Sequence, residues 1–415
     1  MTATKLYPRT ALLVLTALNF LNYIDRSVLY AVQPLVQAEF HRSNAEFGLL
    51  TTAFFLCYMV AAPVMGPLAD RYSRKVIIVL GAILWSGATL LTAVTQDFTT
   101  LLIRHTLVGI GEASFVTIAP TFVADLFPER MRGRILGIFY LAIPVGTAFG
   151  YLVGGHLGVQ YGWRVPFYIV GGPGFLLALA MIFIPEPARG LQDSIQETPE
   201  RGTLMGLLHN RAFWTATLGM AFMTFALGGL QVWMPTFLVR ERGYTLDRAN
   251  LMFGLIIAFD GTVASLAGGW LGDRLLPRRH SAYYLVSAVS MALALPLMLM
   301  ALHARGVVML VSIFMGAFLV LFNTSPLNAA VLNSVGAHIR ATAIAVNIFI
   351  IHLLGDAFSP WLIGRLADRW SLAIGLSSTP VALAVSVAIL FYGMRFAPHL
   401  RVTRGPEGAV RTGAG

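Results

Sequence analysis

The apolar positions of this chain fall into long runs rather than short alternating stretches. Bounded by charged or turn-forming residues, twelve runs can be read, at about 10–38, 45–69, 75–94, 98–125, 133–158, 164–185, 211–239, 248–273, 282–301, 306–333, 340–367 and 372–395. Each holds 20 to 29 residues, and about 20 mostly apolar residues carry a helix across the hydrocarbon core of a bilayer. Strands of a membrane barrel would run near 10 residues with strict alternation, a pattern the sequence lacks. The runs therefore predict an all-α membrane protein with twelve transmembrane helices. The one long polar connection, about 186–210, splits them six and six. Expected units are an N-terminal bundle over 1–185, a linker over 186–210, a C-terminal bundle over 211–400 and a mobile tail over 401–415.

Composition removes the alternatives. Of 415 residues, 57% are apolar and 12% charged, against roughly 25% charged in soluble proteins. A soluble enzyme, a nucleic-acid reader and a disordered chain are excluded, because polar side chains must cover a soluble exterior. The formal charge of +10 is a topology signal. Nineteen of the 29 Lys and Arg fall on the side shared by both termini; eight (Arg42, Arg164, Arg240, Arg242, Arg248, Arg305, Arg365 and Arg369) fall on the other. Basic residues near span ends stay in the cytoplasm, so both termini are expected there, in the inner (plasma) membrane. Lys5 and Arg9 precede a hydrophobic segment longer than a signal-peptide core of about 7–15 residues, so the first span reads as retained. A lone cysteine, Cys57, leaves no internal disulfide framework and no cysteine-rich metal site.

The halves echo each other once. Gly66-Pro-Leu-Ala-Asp70-Arg71-Tyr-Ser-Arg74-Lys75 closes the second span, and Gly269-Trp-Leu-Gly-Asp273-Arg274 with Arg278-Arg279 closes the eighth. Such weak internal symmetry is expected of a transporter built from two related bundles rocking about a central site. An aspartate can sit at a neighbouring helix N-terminus and arginines can bridge to acids across the bundle interface. Asp70, Arg71, Arg74, Asp125, Arg130, Arg134, Asp273 and Arg274 are thus expected to form a cytoplasmic latch. Gly364-Arg365-Leu-Ala-Asp368-Arg369 is a weaker copy on the outer side. With twelve spans in two halves, this pattern resembles the major facilitator superfamily, which implies two six-helix bundles around a midplane cavity.

A charge at mid-bilayer costs about 2.5–3.5 kcal/mol even on lenient scales, so each one needs a reason. The spans contain Asp25, Arg26, Arg104, His105, Glu112, Asp260, His352 and Asp356. Asp25 and Arg26 are about 100° apart on a helix and must find partners on different neighbours. Glu112 sits among small residues, Gly109-Ile-Gly-Glu-Ala-Ser114, where its protonation can switch with water access or salt-bridge exchange. His105, seven residues earlier, shares its face, and Arg104 is rotated away; either is a candidate partner. His352 and Asp356, four apart, can pair imidazole with carboxylate, either as a functional pair or as a helix-packing pair near the outer mouth. Gly146, Gly150, Gly154 and Gly158 form a ridge on the fifth span against which another helix can pack.

Four stretches narrow the resemblance: Asn22-Tyr23-Ile-Asp25-Arg26, the run from Gly109 to Pro120, Ala142-Ile-Pro-Val-Gly146, and the run from His352 to Pro360. Together they resemble the spinster family, whose animal members export sphingosine-1-phosphate and lysophospholipids. That resemblance implies proton coupling at Asp25 and Glu112. It also implies head-group binding at Arg26, with Asn22, Tyr23, Ser114 and either Arg104 or His105. The arginine that the family carries seven residues before the glutamate is here His105, a departure that bears on phosphate specificity. The anion–cation symporter branch, which moves organic anions such as sugar acids with protons, is the alternative. No protease, hydrolase or phosphate-loop motif is present, so an enzyme is not expected. The expectation is a secondary transporter of a small amphipathic anion that works by alternating access. It is expected to be a monomer among membrane lipids, without a cofactor, metal or nucleic acid, and with protons as the coupling ion.

Overall fold

The computed structural model describes residues 3–189, 204–335 and 339–398. The expected tail over 401–415 and the part of the linker over 190–203 lie outside the described residues, as does the side chain of Arg130. Among those described, there is no strand. Twelve helices are long and apolar enough to cross a membrane: α1 (Tyr7–Ala31), α2 (Asn44–Arg71), α3 (Arg74–Thr92), α4 (Phe98–Leu126), α5 (Arg134–Tyr161), α6 (Val165–Ile182), α7 (Arg211–Arg240), α8 (Leu246–Leu275), α9 (Ala282–His303), α10 (Gly306–Asn333), α11 (Thr342–Arg369) and α12 (Leu372–Phe396).

Three of the expected runs are broken where proline dictates. The run over 10–38 is two helices, because Pro34 opens the separate helix Gln33–Phe40 just past α1. In α10 the helix turns at Phe322–Asn323, where the ring of Pro326 cannot coexist with a regular bond to the Phe322 carbonyl four residues back. In α11, Pro360 stands in the same relation to Asp356, and the backbone over His352–Asp356 widens into a π-turn.

Side-chain size sets how closely the helices approach. The ridge on α5 lies against α1: a methyl group on Gly146 would come within 2.6 Å of the Phe20 carbonyl, and one on Gly150 within 2.5 Å of that of Ile24. The two halves are joined at the end away from the termini. There the Asp368 carboxylate accepts from the backbone N–H groups of Asn44 and Ala45, each at 2.8 Å, at the start of α2. Arg240 donates to Asn44 and Gln37, and Thr52 donates to the Ala357 carbonyl at 2.6 Å. At the termini's end, Asp70, Arg71, Asp273 and Arg274 are exposed, and a methyl group on Gly66 or Gly137 would meet nothing within 4 Å.

Candidate functional site: a charged cavity between the halves

A cavity of about 180 Å³ lies where α1, α2, α5, α7 and α11 meet. From α1 it receives Tyr23, Arg26, Ser27 and Tyr30, a stripe at the three- and four-residue spacing of one helix face. From α11 it receives His352 and Asp356. The π-turn forms a close seam with α7 at this level, since a methyl group on Gly228 would fall 2.5 Å from Cβ of Asp356.

Arg26 is the centre of the arrangement. Its Nε donates to Oε2 of Glu112 at 2.5 Å, and Glu112 on α4 has no exposed surface. The guanidinium lies 5.0 Å from the ring centres of Tyr23 and Phe54, 5.3 Å from Tyr58 and 5.9 Å from Phe55. Aromatic faces attract a cation at such distances, so the box holds the charge as well as the ion pair does. The pair is only partly satisfied: Arg26 Nη2 and Glu112 Oε1 are buried with no hydrogen-bond partner. Opposite, His352 Nδ1 lies 2.9 Å from Asp356 Oδ1. The His352 ring stacks on Phe55 at 5.3 Å, so one aromatic side chain separates the two polar pairs.

Asp25 points elsewhere, accepting a hydrogen bond from the Thr89 hydroxyl of α3. The adjacent acid and base of α1 therefore find partners on different neighbours, as a 100° rotation requires. Asn22 is fully buried beside the Glu112 carboxylate. Asp260 on α8 is likewise fully buried, with both carboxylate oxygens unpartnered.

Several expected placements are corrected. Glu112 pairs with neither Arg104 nor His105. Seven or eight residues of helix are about 10–12 Å of rise, beyond what a shared face can bridge. Arg104 instead donates to the Leu91 carbonyl and to the Thr95 hydroxyl at the end of α3. His105 is buried and stacks at 5.2 Å on Phe54, the ring that also faces Arg26. Ser114 does not line the cavity; it donates to the Gly111 carbonyl and fills the gap left by Gly81 of α3. Of the two readings of His352 and Asp356, the pair stands on the cavity wall and not at the outer mouth.

The expected latch makes no bridge to the C-terminal half through Arg74. That guanidinium pairs with Asp125 of α4 at 2.5 Å and with Glu186 at the start of the linker at 3.3 Å, and donates to the Pro187 carbonyl at 3.0 Å. Burial pushes the Glu186 carboxyl up, but hydrogen bonds from the Ser73 hydroxyl, the Arg74 and Lys75 backbone and the Arg74 guanidinium outweigh it and hold it below the ordinary glutamate range. Arg189 donates to the carbonyls of Ala69, Asp70 and Tyr72. Arg134 is exposed. In the other half, Asp273 accepts from Tyr283 at 2.7 Å, and Arg274 lies 5.3 Å from the Trp270 ring.

Sequence reasoning missed the aromatic box, Tyr30, Thr51, Thr147 and Gln231, all of them on or beside the cavity. The signal for Tyr30 was available, because it stands four residues beyond Arg26 on the same face.

Comparison with known proteins places this chain in a family. The Major Facilitator Superfamily model matches residues 15–360. Protein spinster homolog 1 of Xenopus laevis is 34% identical over 424 residues, covering 96% of this chain and 80% of the relative. The human spinster homolog 1 is 36% identical, covering 87% of this chain and 74% of that protein. The chain belongs to the spinster family of the major facilitator superfamily. It is accordingly a multi-pass membrane transport protein with the two-bundle fold. Its structure is similar to a bacterial homologue of the human lysosomal transporter Spinster, solved inward-facing and unoccupied, with a TM-score of 0.85, 26% identity and coverage of 94% of this chain and 98% of that one. A D-xylose–proton symporter shares the fold, with a TM-score of 0.78, 18% identity and coverage of 95% and 98%.

Proposed function

We propose that this spinster-family chain couples proton movement to transport of a small amphipathic anion, lysolipid-like in character, by alternating access across the inner membrane, with both termini cytoplasmic. The observation that carries this reading is the half-satisfied Arg26–Glu112 pair beside a cavity between the halves. Among the described residues, Arg26 is the only Arg or Lys on that cavity's wall, so an anionic head group finds its counter-charge there. Separating a buried ion pair with both members still charged costs about 3–5 kcal/mol, whereas 100 mV of membrane potential supplies about 2.3 kcal/mol per charge. Protonating Glu112 first removes one member of the pair and frees Arg26 for the anion. Asp25, on the other face of α1, is the second proton carrier. Contacts at the end away from the termini, and the likeness to a relative solved inward-facing, support a state open toward the cytoplasm.

The polar wall groups Thr51, Thr147 and Gln231 favour a second reading, a sugar-acid-like anion moved with protons. Reconstitution in liposomes with a panel of lysolipids and sugar acids, with and without an imposed pH gradient, separates the two. Uptake of a lysolipid that responds to the gradient is the expected result. The Glu112→Gln variant is expected to fold and to lose the gradient response. Unchanged proton-dependent uptake by that variant would overturn the assignment.

A further inference from the structure

The C-terminal half carries a second cavity, of about 490 Å³, at the end away from the termini, formed by the turn between α7 and α8 and that between α9 and α10. Arg242, Arg248 and Arg305 line it. Basic residues are sparse at this end of the chain, so three of them on one cavity is a concentration that topology does not account for. One acid, Glu241, shares this wall with the three arginines. The Glu241 carboxylate is turned to the start of α12, where it accepts from the N–H groups of Leu372 at 2.5 Å and Ala373 at 3.1 Å. Asp247 lies 3.5 Å from His156 of the other half.

Arg242 is pinned as a binding group would be. Its Nη1 donates to the Glu241 carbonyl at 3.0 Å and its Nη2 to that of Leu302, while the guanidinium lies 4.5 Å from the Phe237 ring centre. Its Nε is buried without a hydrogen-bond partner. Arg248 and Arg305 are exposed. Thr245 and Arg305, both on the cavity wall, are the residues from which α8 and α10 start, and neither start is capped by a side chain. Free N–H groups at two helix starts add donors to the three guanidinium groups. Like charges gathered on one wall repel until an anion joins them. Guanidinium forks match the tetrahedral oxygens of phosphate.

We propose that this cavity binds a phosphate group, free or as the head group of an anionic phospholipid, at a site separate from the central cavity. The proposal does not rest on the transport reading. The test uses the purified full-length protein and its tryptophan-reported unfolding temperature. One arm adds inorganic phosphate, against chloride at matched ionic strength. The other compares phosphatidylcholine nanodiscs with and without phosphatidylglycerol. A rise of a few degrees is expected in at least one arm, and its loss in the double variant Arg248→Gln/Arg305→Gln, whose exposed positions leave the fold intact. A rise with phosphate assigns the free anion, and one with phosphatidylglycerol alone assigns the lipid. No rise in either arm, or a rise that the double variant keeps, would overturn the site.

Discussion

Arg26 does two jobs with one side chain: its Nε holds Glu112, and its flat face lies among four aromatic rings. A lysine would keep the charge and lose the planar fork and much of the stacking. Cation–π contacts contribute about 0.5–2 kcal/mol in desolvated sites. Arg26→Lys is therefore expected to weaken the apparent affinity for the transported anion by roughly 2- to 30-fold while leaving the unfolding temperature within a few degrees. Uptake measured against substrate concentration checks it, and an unchanged half-saturation value would count against the aromatic box. The acids and bases of this site were legible in the sequence because charge in a hydrophobic run has no innocent explanation. Their pairing was not. Helical rotation gave the faces of Asp25, Arg26, His105 and Glu112, but the axial rise and the tilt between α1 and α4 decide which groups meet. The rings of Phe54, Phe55 and Tyr58 carried no signal at all, since apolar residues in a spanning helix are ordinary.

The helices were legible as units, and their breaks were legible only through proline. The π-turn at His352–Asp356 is what brings the α11 pair to the cavity wall, and it packs on α7 through Gly355. A methyl group there would lie 2.9 Å from Cβ of Thr224 and 3.0 Å from the Ala221 carbonyl. Overpacking of this kind costs about 1–3 kcal/mol, so Gly355→Ala is expected to lower the unfolding temperature and to impair uptake. Gly172→Ala in α6 meets nothing within 4 Å and should raise stability slightly, as alanine is the better helix residue. Equal effects of the two would show that the seam with α7 is unimportant. At the other end of the molecule, Glu186 ties the start of α3 to the segment after α6. Its carboxyl is held below the ordinary value of 4.5, so its stabilisation is full above that value and is lost as pH falls through the folded value. Glu186→Gln should therefore unfold at a lower temperature than the parent at neutral pH, with the gap closing on acidification below about 4. A gap that did not depend on pH would assign the effect to packing.

At the scale of the whole chain, the glycine–aspartate–arginine motifs gave the symmetry of the halves but not which copy joins them. The Asp-Arg pairs of the two stronger copies, at the ends of α2 and α8, are exposed, whereas the weakest copy, at Gly364 to Arg369, makes the bridge. Which end carries the bridge follows from the relative tilt of the two halves, a quantity no local pattern encodes. Asp368 accepts two N–H groups at the start of α2, where a surface carboxylate is favoured by the helix dipole by about 0.3–1 kcal/mol. Asparagine keeps the shape and loses the charge. Asp368→Asn should then shift the balance toward opening at this end by roughly 2- to 5-fold. Gly48→Leu should act in the same direction more strongly, because even a methyl group there falls 2.5 Å from the Pro360 carbonyl. Spin labels at Gln96 and Ile374, both exposed, introduced after replacing Cys57 with serine, report the separation by pulsed electron resonance. The parent should give a short distance and both variants an added longer one. Identical distance distributions in all three would mean that the closed end is held by helix packing elsewhere, and that the Asp368 contact follows closure without stabilising it.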